Sequence, residues 1–213
     1  MHAFIVTVPE RHELATRLQA TLEADNITTE LVGNGIKRPA IVNHRDAISF
    51  AYIRSTTYDR SIIIEDDAIL TSNFHKKLDT VLETERDTPL LSLYLGKQTP
   101  VKAQDIIKKA LDEQPDASIL HFPHLWNAVA YSIQPGYLKQ NGTEIINRIN
   151  NRITHYVEPY MVPTDQTIEE SLRLADYVYT IPSLVNHNTD VPGVYIHSGL
   201  RPAGRREAWR FDD

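Results

Sequence analysis

Ser61-Ile62-Ile63-Ile64-Glu65-Asp66-Asp67-Ala68-Ile69-Leu70 joins three consecutive β-branched residues to three consecutive acids. The apolar run is too short for a helix and too apolar for a surface loop, which predicts a central strand buried on both faces. If the chain stays extended past Ile64, the period of two puts Glu65 and Asp67 on one side and Asp66 on the other. Two acids then converge at the carboxyl end of a strand, where open α/β sheets bind ligands. Carboxylates this close repel one another, and a hard divalent cation with oxygen ligands, Mg²⁺ or Mn²⁺, is the usual means of keeping them ionised. The same residues also suit a solvated acidic turn ahead of a helix, with Ser72 as its N-cap and Phe74, Leu78, Val81 and Leu82 at helical spacing.

The chain has 213 residues, 41% of them hydrophobic, which suffices for one substantial core and predicts a single domain over 1–213. Without cysteine it has no disulfide, no thiolate nucleophile and no cysteine zinc site. The opening Met1-His2-Ala3-Phe4-Ile5-Val6-Thr7-Val8-Pro9 lacks the basic region and the apolar length of a signal peptide. No stretch approaches the roughly 18 apolar residues of a membrane span, so the expectation is a soluble, cytoplasmic protein. A formal net charge of −6 disfavours nonspecific nucleic-acid binding by the whole surface but leaves room for a local basic patch.

Outward from the acidic stretch, the pattern alternates strand and helix. Ala3 to Val8 forms a first strand, and a helix with Leu14, Ala15, Leu18 and Leu22 inward leads to a second strand, Ile27 to Val32, and a Gly33-Asn34-Gly35 turn. Asn43 is placed as an N-cap with Asp46 in the first turn of a helix whose apolar face is Ala47, Ile48, Ala51 and Tyr52. Downstream, a helix spans Ser72 to Arg86 and a strand Leu90 to Gly96. The polar stretch from Lys97 to Pro115 reads as an insertion or mobile loop with one helix around Ile106, Ile107, Ala110 and Leu111. Strands follow at Ser118 to Phe122 and Asn127 to Ile133. Pro135 opens a helix interrupted at Asn141-Gly142, Thr164 caps another with Ile168, Leu172 and Ala175 inward, and Tyr177 to Ile181 is a last core strand.

These segments resemble, in order, the family 25 glycosyltransferases of lipopolysaccharide synthesis. Asn43-His44 followed by the Ile62 to Leu70 stretch is similar to that family's Ser-His segment and Ile/Leu-Glu-Asp-Asp turn, with Asn43 where the family has Ser. Leu93-Tyr94-Leu95-Gly96, Asn127 to Ile133 with Pro135-Gly136, Pro163-Thr164-Asp165 and Ile181-Pro182-Ser183-Leu184-Val185 resemble its later segments, so the likeness spans about residues 3 to 187. The tail Gly204-Arg205-Arg206-Glu207-Ala208-Trp209-Arg210-Phe211 resembles the ends of small transferases encoded by bacteriophages. The resemblance implies a GT-A (Rossmann-like) α/β fold with a mixed, mostly parallel sheet flanked by helices. It also implies a nucleotide-sugar donor, with UDP-sugar first, a divalent metal, and transfer of a hexose or pentose.

Within that frame Asp67 is the expected metal ligand and His187 a second, with His197 behind it. Pro9, Arg11, Glu65, Asp66 and Arg205 are assigned to the donor nucleotide, with Asp66 also holding the turn. Asp165, rigid at a helix start, is the expected general base toward an acceptor hydroxyl, although a helix N-terminus lowers an acid's pKa and equally suits a capping role. His44 supports the acidic turn from behind, and Trp126 stacks on a sugar or base or packs in the core. Arg201, Arg205, Arg206 and Arg210 make 197–213 a basic tail suited to phosphate, either the donor's or that of DNA carrying a hydroxymethylated base, as in a phage-encoded enzyme of the host cytoplasm; a glycan hydroxyl is the alternative acceptor. A metal-dependent phosphodiester or phosphoryl hydrolase would need further converging acids. The third alternative is a non-catalytic GT-A binding domain.

Overall fold

Ile62, Ile63 and Ile64 are fully buried, Ile62 and Ile64 in one core cluster and Ile63 in another, so the strand that carries them is covered on both faces. The structure, a computed structural model, describes residues 1–55, 60–97, 101–156, 162–188, 190–191 and 207–211, and only the backbone of residues 101 and 102. An alternation of strand and helix opens the chain: β1 (His2–Val6), α1 (His12–Ala24) and β2 (Thr28–Val32) lead through α2 (Ala40–Arg54) into the central strand β3 (Ser61–Glu65). β4 (Ala68–Leu70), α3 (Phe74–Thr84), β5 (Leu90–Ser92), α4 (Val101–Glu113) and β6 (Ile119–Phe122) follow. β7 (Ala130–Ile133), α5 (Pro135–Thr154), α6 (Thr164–Leu172), β8 (Tyr177–Thr180) and β9 (Val185–His187) complete the described elements.

The main sheet has the order β2-β1-β3-β7-β5-β8-β6. β2, β1, β3, β5 and β8 run one way, and β7 and β6 run the other, so the sheet is mixed and mostly parallel in strand direction. α1 and α3 pack on the face that takes Ile62 and Ile64, whereas α2, α4, α5 and α6 pack on the face of Ile63. β4 and β9 pair antiparallel in a small second sheet, setting Ala68 opposite His187. Among the described residues no helix is long and apolar enough to cross a membrane.

Several local expectations give way to tertiary structure. Asn43 is not a cap: α2 begins at Ala40 behind Pro39, and the buried Asn43 amide donates to the Thr7 carbonyl at 2.9 Å. Asp46 pairs with Arg38 and Arg45 instead of serving the helix start. Ser72 does not cap α3. Asn73 holds that position in a left-handed conformation, and the carboxylate of Asp25, from the α1–β2 loop, accepts from the His75 backbone N–H at 2.7 Å. The 97–115 stretch contains a full helix, α4, whose Ala103, Ile107 and Leu111 are buried at four-residue spacing. α5 runs uninterrupted through Gly142, where a Cβ would stand 2.3 Å from the Tyr52 ring of α2, so the glycine lets the two helices meet. α6 stops at Leu172 with Arg173 left-handed, which leaves Ala175 exposed.

Candidate metal centre

β3 ends at Glu65, and the chain turns at Asp66-Asp67 before β4. The turn is held from both sides: Glu65 N–H donates to the Val129 carbonyl at 2.8 Å and Asp66 N–H to the Val6 carbonyl at 3.1 Å. β9 lies beside it, and the Asn188 N–H donates to the Asp67 carbonyl at 2.8 Å. The result is a group formed by Glu65, Asp67 and His187, in which one ligand atom from each residue lies within 4.8 Å of the others. Nε2 of the buried His187 is 3.4 Å from Oδ2 of Asp67. Oδ1 of Asp67 is buried and has no hydrogen-bond partner among the described residues.

Asp66 is held elsewhere. Its Oδ2 accepts from the Thr7 hydroxyl at 2.7 Å and its Oδ1 from Arg11 Nη1 at 2.9 Å, while the same Nη1 reaches Asp67 Oδ2 at 2.6 Å. Burial pulls the Arg11 guanidinium down, but the charges of Asp67 and Asp66 outweigh it and hold it above its ordinary value. Burial pushes the Asp66 carboxyl up to about 6, although Thr7 and Arg11 pull it down. Asp67 is also raised, first by burial and then by the charge of Glu65, against His187 and Arg11. An isolated ion pair would raise the base and lower the acid, so the upward direction of both acids carries information. One guanidinium shared between two desolvated carboxylates does not compensate both.

Behind the group, α2 supplies the fully buried His44. Its Nε2 lies 3.4 Å from Glu65 Oε1 and its Nδ1 3.2 Å from the Tyr131 hydroxyl, which is itself buried and raised well above its usual range by burial and by the charges of Glu65 and Asp165. The register that sets Ile63 opposite Tyr131 puts Tyr131 and Glu65 on the same face of the sheet. Asp165, in the first turn of α6, accepts from the Ala128 N–H at 2.9 Å, just ahead of the Val129 carbonyl that holds Glu65. Acidic turn and α6 start are thereby linked through one short segment.

Pro9 opens a short turn, Pro9–Arg11, directly after β1 and so sets the position of Arg11. Trp126 lies in an aromatic group with Phe122, His124 and Tyr179, its backbone N–H donating to the Tyr179 hydroxyl at 2.9 Å, which is a packing role on the β6–β8 side of the sheet. Arg210 donates to the carbonyls of Leu111 and Pro115, at and just past the end of α4, so this member of the tail's arginines secures a helix end. Arg201, Arg205, Arg206 and His197 lie outside the described residues.

Thr7, Asn43 and Tyr131 were not singled out by the sequence for the roles they hold. The one available signal is a polar residue inside an apolar run, as with Thr7 in Phe4 to Val8 and Tyr131 in Ala128 to Ile133. The donor set fits a divalent cation: two carboxylates and an imidazole are ligands of Mn²⁺ or Zn²⁺ and are acceptable to Mg²⁺. The 4.8 Å span needs only a slight contraction to match bonds of about 2.0–2.2 Å on opposite sides of an ion. The unpartnered Asp67 oxygen lacks the positive partner that such an ion provides.

No protein family matches the chain and no curated protein matches it. Solved structures do match. One is the crystal structure of a mannose-1-phosphate geranyltransferase from Thermus thermophilus, at 10% identity and a TM-score of 0.46, covering 84% of this chain and 73% of that chain.

Proposed function

We propose that this chain is a metal-dependent glycosyltransferase of the GT-A type that moves a hexose or pentose from a nucleotide-sugar to an acceptor hydroxyl. The observation that carries this reading is the convergence of Glu65, Asp67 and His187 at the carboxyl end of the central strand, with a buried, unpartnered Asp67 oxygen in the group. The ordered likeness of residues 3 to 187 to family 25 glycosyltransferases agrees with it. A bound divalent metal supplies positive charge to a diphosphate leaving group, where negative charge grows as the glycosidic bond breaks.

The chain's own residues take the remaining parts. Glu65, Asp67 and His187 hold the ion, and His44, braced by Tyr131, orients the Glu65 carboxylate. Arg11 stands where it can meet the donor's phosphates from the turn after β1. Asp165, fixed by its bond to Ala128, takes the proton of the acceptor hydroxyl as that oxygen attacks the anomeric carbon and the nucleoside diphosphate departs. Direct displacement of this kind inverts the anomeric configuration. The acceptor is a hydroxymethylated base in DNA or a glycan hydroxyl. In favour of the DNA reading stand Arg201, Arg205 and Arg206 of the tail sequence and the tail's likeness to phage transferases.

Incubating the protein with a panel of uridine and guanosine diphosphate sugars, with Mn²⁺ or with chelator, tests the proposal. Metal-dependent release of nucleoside diphosphate from one donor is the expected result. Release from no donor, or equal release in chelator, removes it. Adding hydroxymethylated DNA to the productive mixture separates the acceptors, since only the DNA reading predicts a gain of one sugar mass on the base.

A further inference from the structure

Arg11 holds two acids with one nitrogen. Nη1 donates to Asp66 Oδ1 at 2.9 Å and to Asp67 Oδ2 at 2.6 Å, and the latter oxygen is the one that also faces His187 Nε2 at 3.4 Å. A cation seated among Glu65, Asp67 and His187 therefore comes to rest beside the Arg11 charge. Like charges at that range repel strongly in a partly desolvated site. Asp66 does not depend on Arg11 alone, because Thr7 keeps its other oxygen at 2.7 Å. Nor is the neighbouring acid Glu10 an alternative berth: it pairs with Lys37 at 2.8 Å. Arg11 sits on a short turn at the rim, its side chain 13% exposed, whereas the acids are buried.

We propose that Arg11 is the resident counter-ion of this site: it neutralises Asp66 and Asp67 in the metal-free protein, opposes metal binding by itself, and transfers to the donor's diphosphate once the metal is in place. The inference rests on the metal reading given above and adds an order to it, in which the anion relieves the repulsion between guanidinium and metal. Metal and diphosphate then favour one another's binding beyond their direct contact.

The test is equilibrium titration of the full chain with Mn²⁺ alone, followed by inorganic pyrophosphate into the Mn²⁺-loaded protein, for wild type, Arg11→Met and Arg11→Lys. Arg11→Met, which keeps the length but not the charge, is expected to bind Mn²⁺ about tenfold more tightly or better and pyrophosphate about tenfold more weakly. Arg11→Lys, with the charge retained, should bind Mn²⁺ within about twofold of wild type. Weaker Mn²⁺ binding by Arg11→Met would mean that Arg11 only braces the acidic turn and would overturn the inference while leaving the metal reading intact. Absence of Mn²⁺ binding in wild type and Arg11→Met alike, with pyrophosphate as without it, would remove both.

Should Arg11→Met fail to fold, the wild-type protein decides. The guanidinium NMR signal of Arg11, identified by its loss in Arg11→Lys, is expected to shift on saturation with Mg²⁺ and again on addition of pyrophosphate. A signal unmoved by saturating Mg²⁺ overturns the inference.

Discussion

Nε2 of His187 lies 3.4 Å from Oδ2 of Asp67, with both side chains almost wholly withdrawn from solvent. β9 brings His187 there by pairing with β4, the strand that leaves the acidic turn, so a late residue and a central one meet without sharing the main sheet. Buried groups of this kind need a compensating charge, and one guanidinium is shared between two acids.

Asp67→Asn preserves shape and removes charge. Binding of Mn²⁺, followed by titration, should fall below detection. In the absence of metal the variant should unfold at a temperature no lower than wild type, because burial already disfavours the ionised form of Asp67. Unchanged Mn²⁺ affinity would exclude Asp67 as a ligand.

The raised Asp66 carboxyl sets the sign of a pH dependence expected of the metal-free protein. Its folded value, pushed up to about 6 by burial, exceeds the unfolded value of about 3.9, so the native state binds more protons between those limits. Stability from this group is therefore present at low pH and lost as pH rises through about 6. Compared with Asp66→Asn, wild type should gain about 1 kcal/mol in going from pH 7 to pH 5, measured by urea denaturation in chelator. Mn²⁺ affinity should run the other way and strengthen as pH rises, since the acids must be ionised to hold the ion. A wild-type disadvantage growing toward pH 5 would contradict the sign.

Asp165→Asn separates catalysis from the structural bond to Ala128. As the general base it should lower kcat by about 10² to 10⁴ with donor and Mn²⁺ affinity nearly unchanged. Loss of thermal stability with kcat intact would leave Asp165 as the acceptor of the Ala128 N–H and nothing more. A product of retained configuration would also remove it from the chemistry.

Gly33 is a backbone requirement beside Thr7, whose hydroxyl holds Asp66. Its φ is +91°, and a Cβ there would stand 2.4 Å from the Thr7 carbonyl oxygen and 2.6 Å from the Asn43 side chain. Gly33→Ala combines strain with a clash against the bond that joins β1 to α2, and should cost about 2–4 kcal/mol in urea denaturation. A loss below about 0.5 kcal/mol would show that the loop relaxes freely.

The main sheet was legible because its signals are local. Three isoleucines in a row announce a two-sided strand, and Leu18 and Leu22 announce the helix that covers it. Asp67 was nameable as a ligand from its place after the strand and His187 from family resemblance, whereas Glu65, which the structure groups with them, was assigned to the donor nucleotide. Their meeting was not legible from spacing, because Val185-Asn186-His187 is too short and too polar to announce a strand, and its partner lies across the chain. Distance in sequence also explains the mistaken caps. Asp25 reaches α3 from another loop, and Asn43 is drawn into the core by a carbonyl on the strand side of the sheet, so no window around either helix start contains the deciding contact. Ile107 and Leu111 marked a helix in the sequence, but its full extent and the inward Ala103 were masked by polar residues on the other faces of α4.

The metal site is measured most directly by anomalous X-ray scattering at the manganese edge from crystals grown with Mn²⁺ and a nucleoside diphosphate. One strong peak bounded by Glu65, Asp67 and His187 is expected, with the diphosphate oxygens on its open side and Arg11 turned toward them. A peak elsewhere, or no peak between these three side chains at saturating Mn²⁺, would contradict the metal reading.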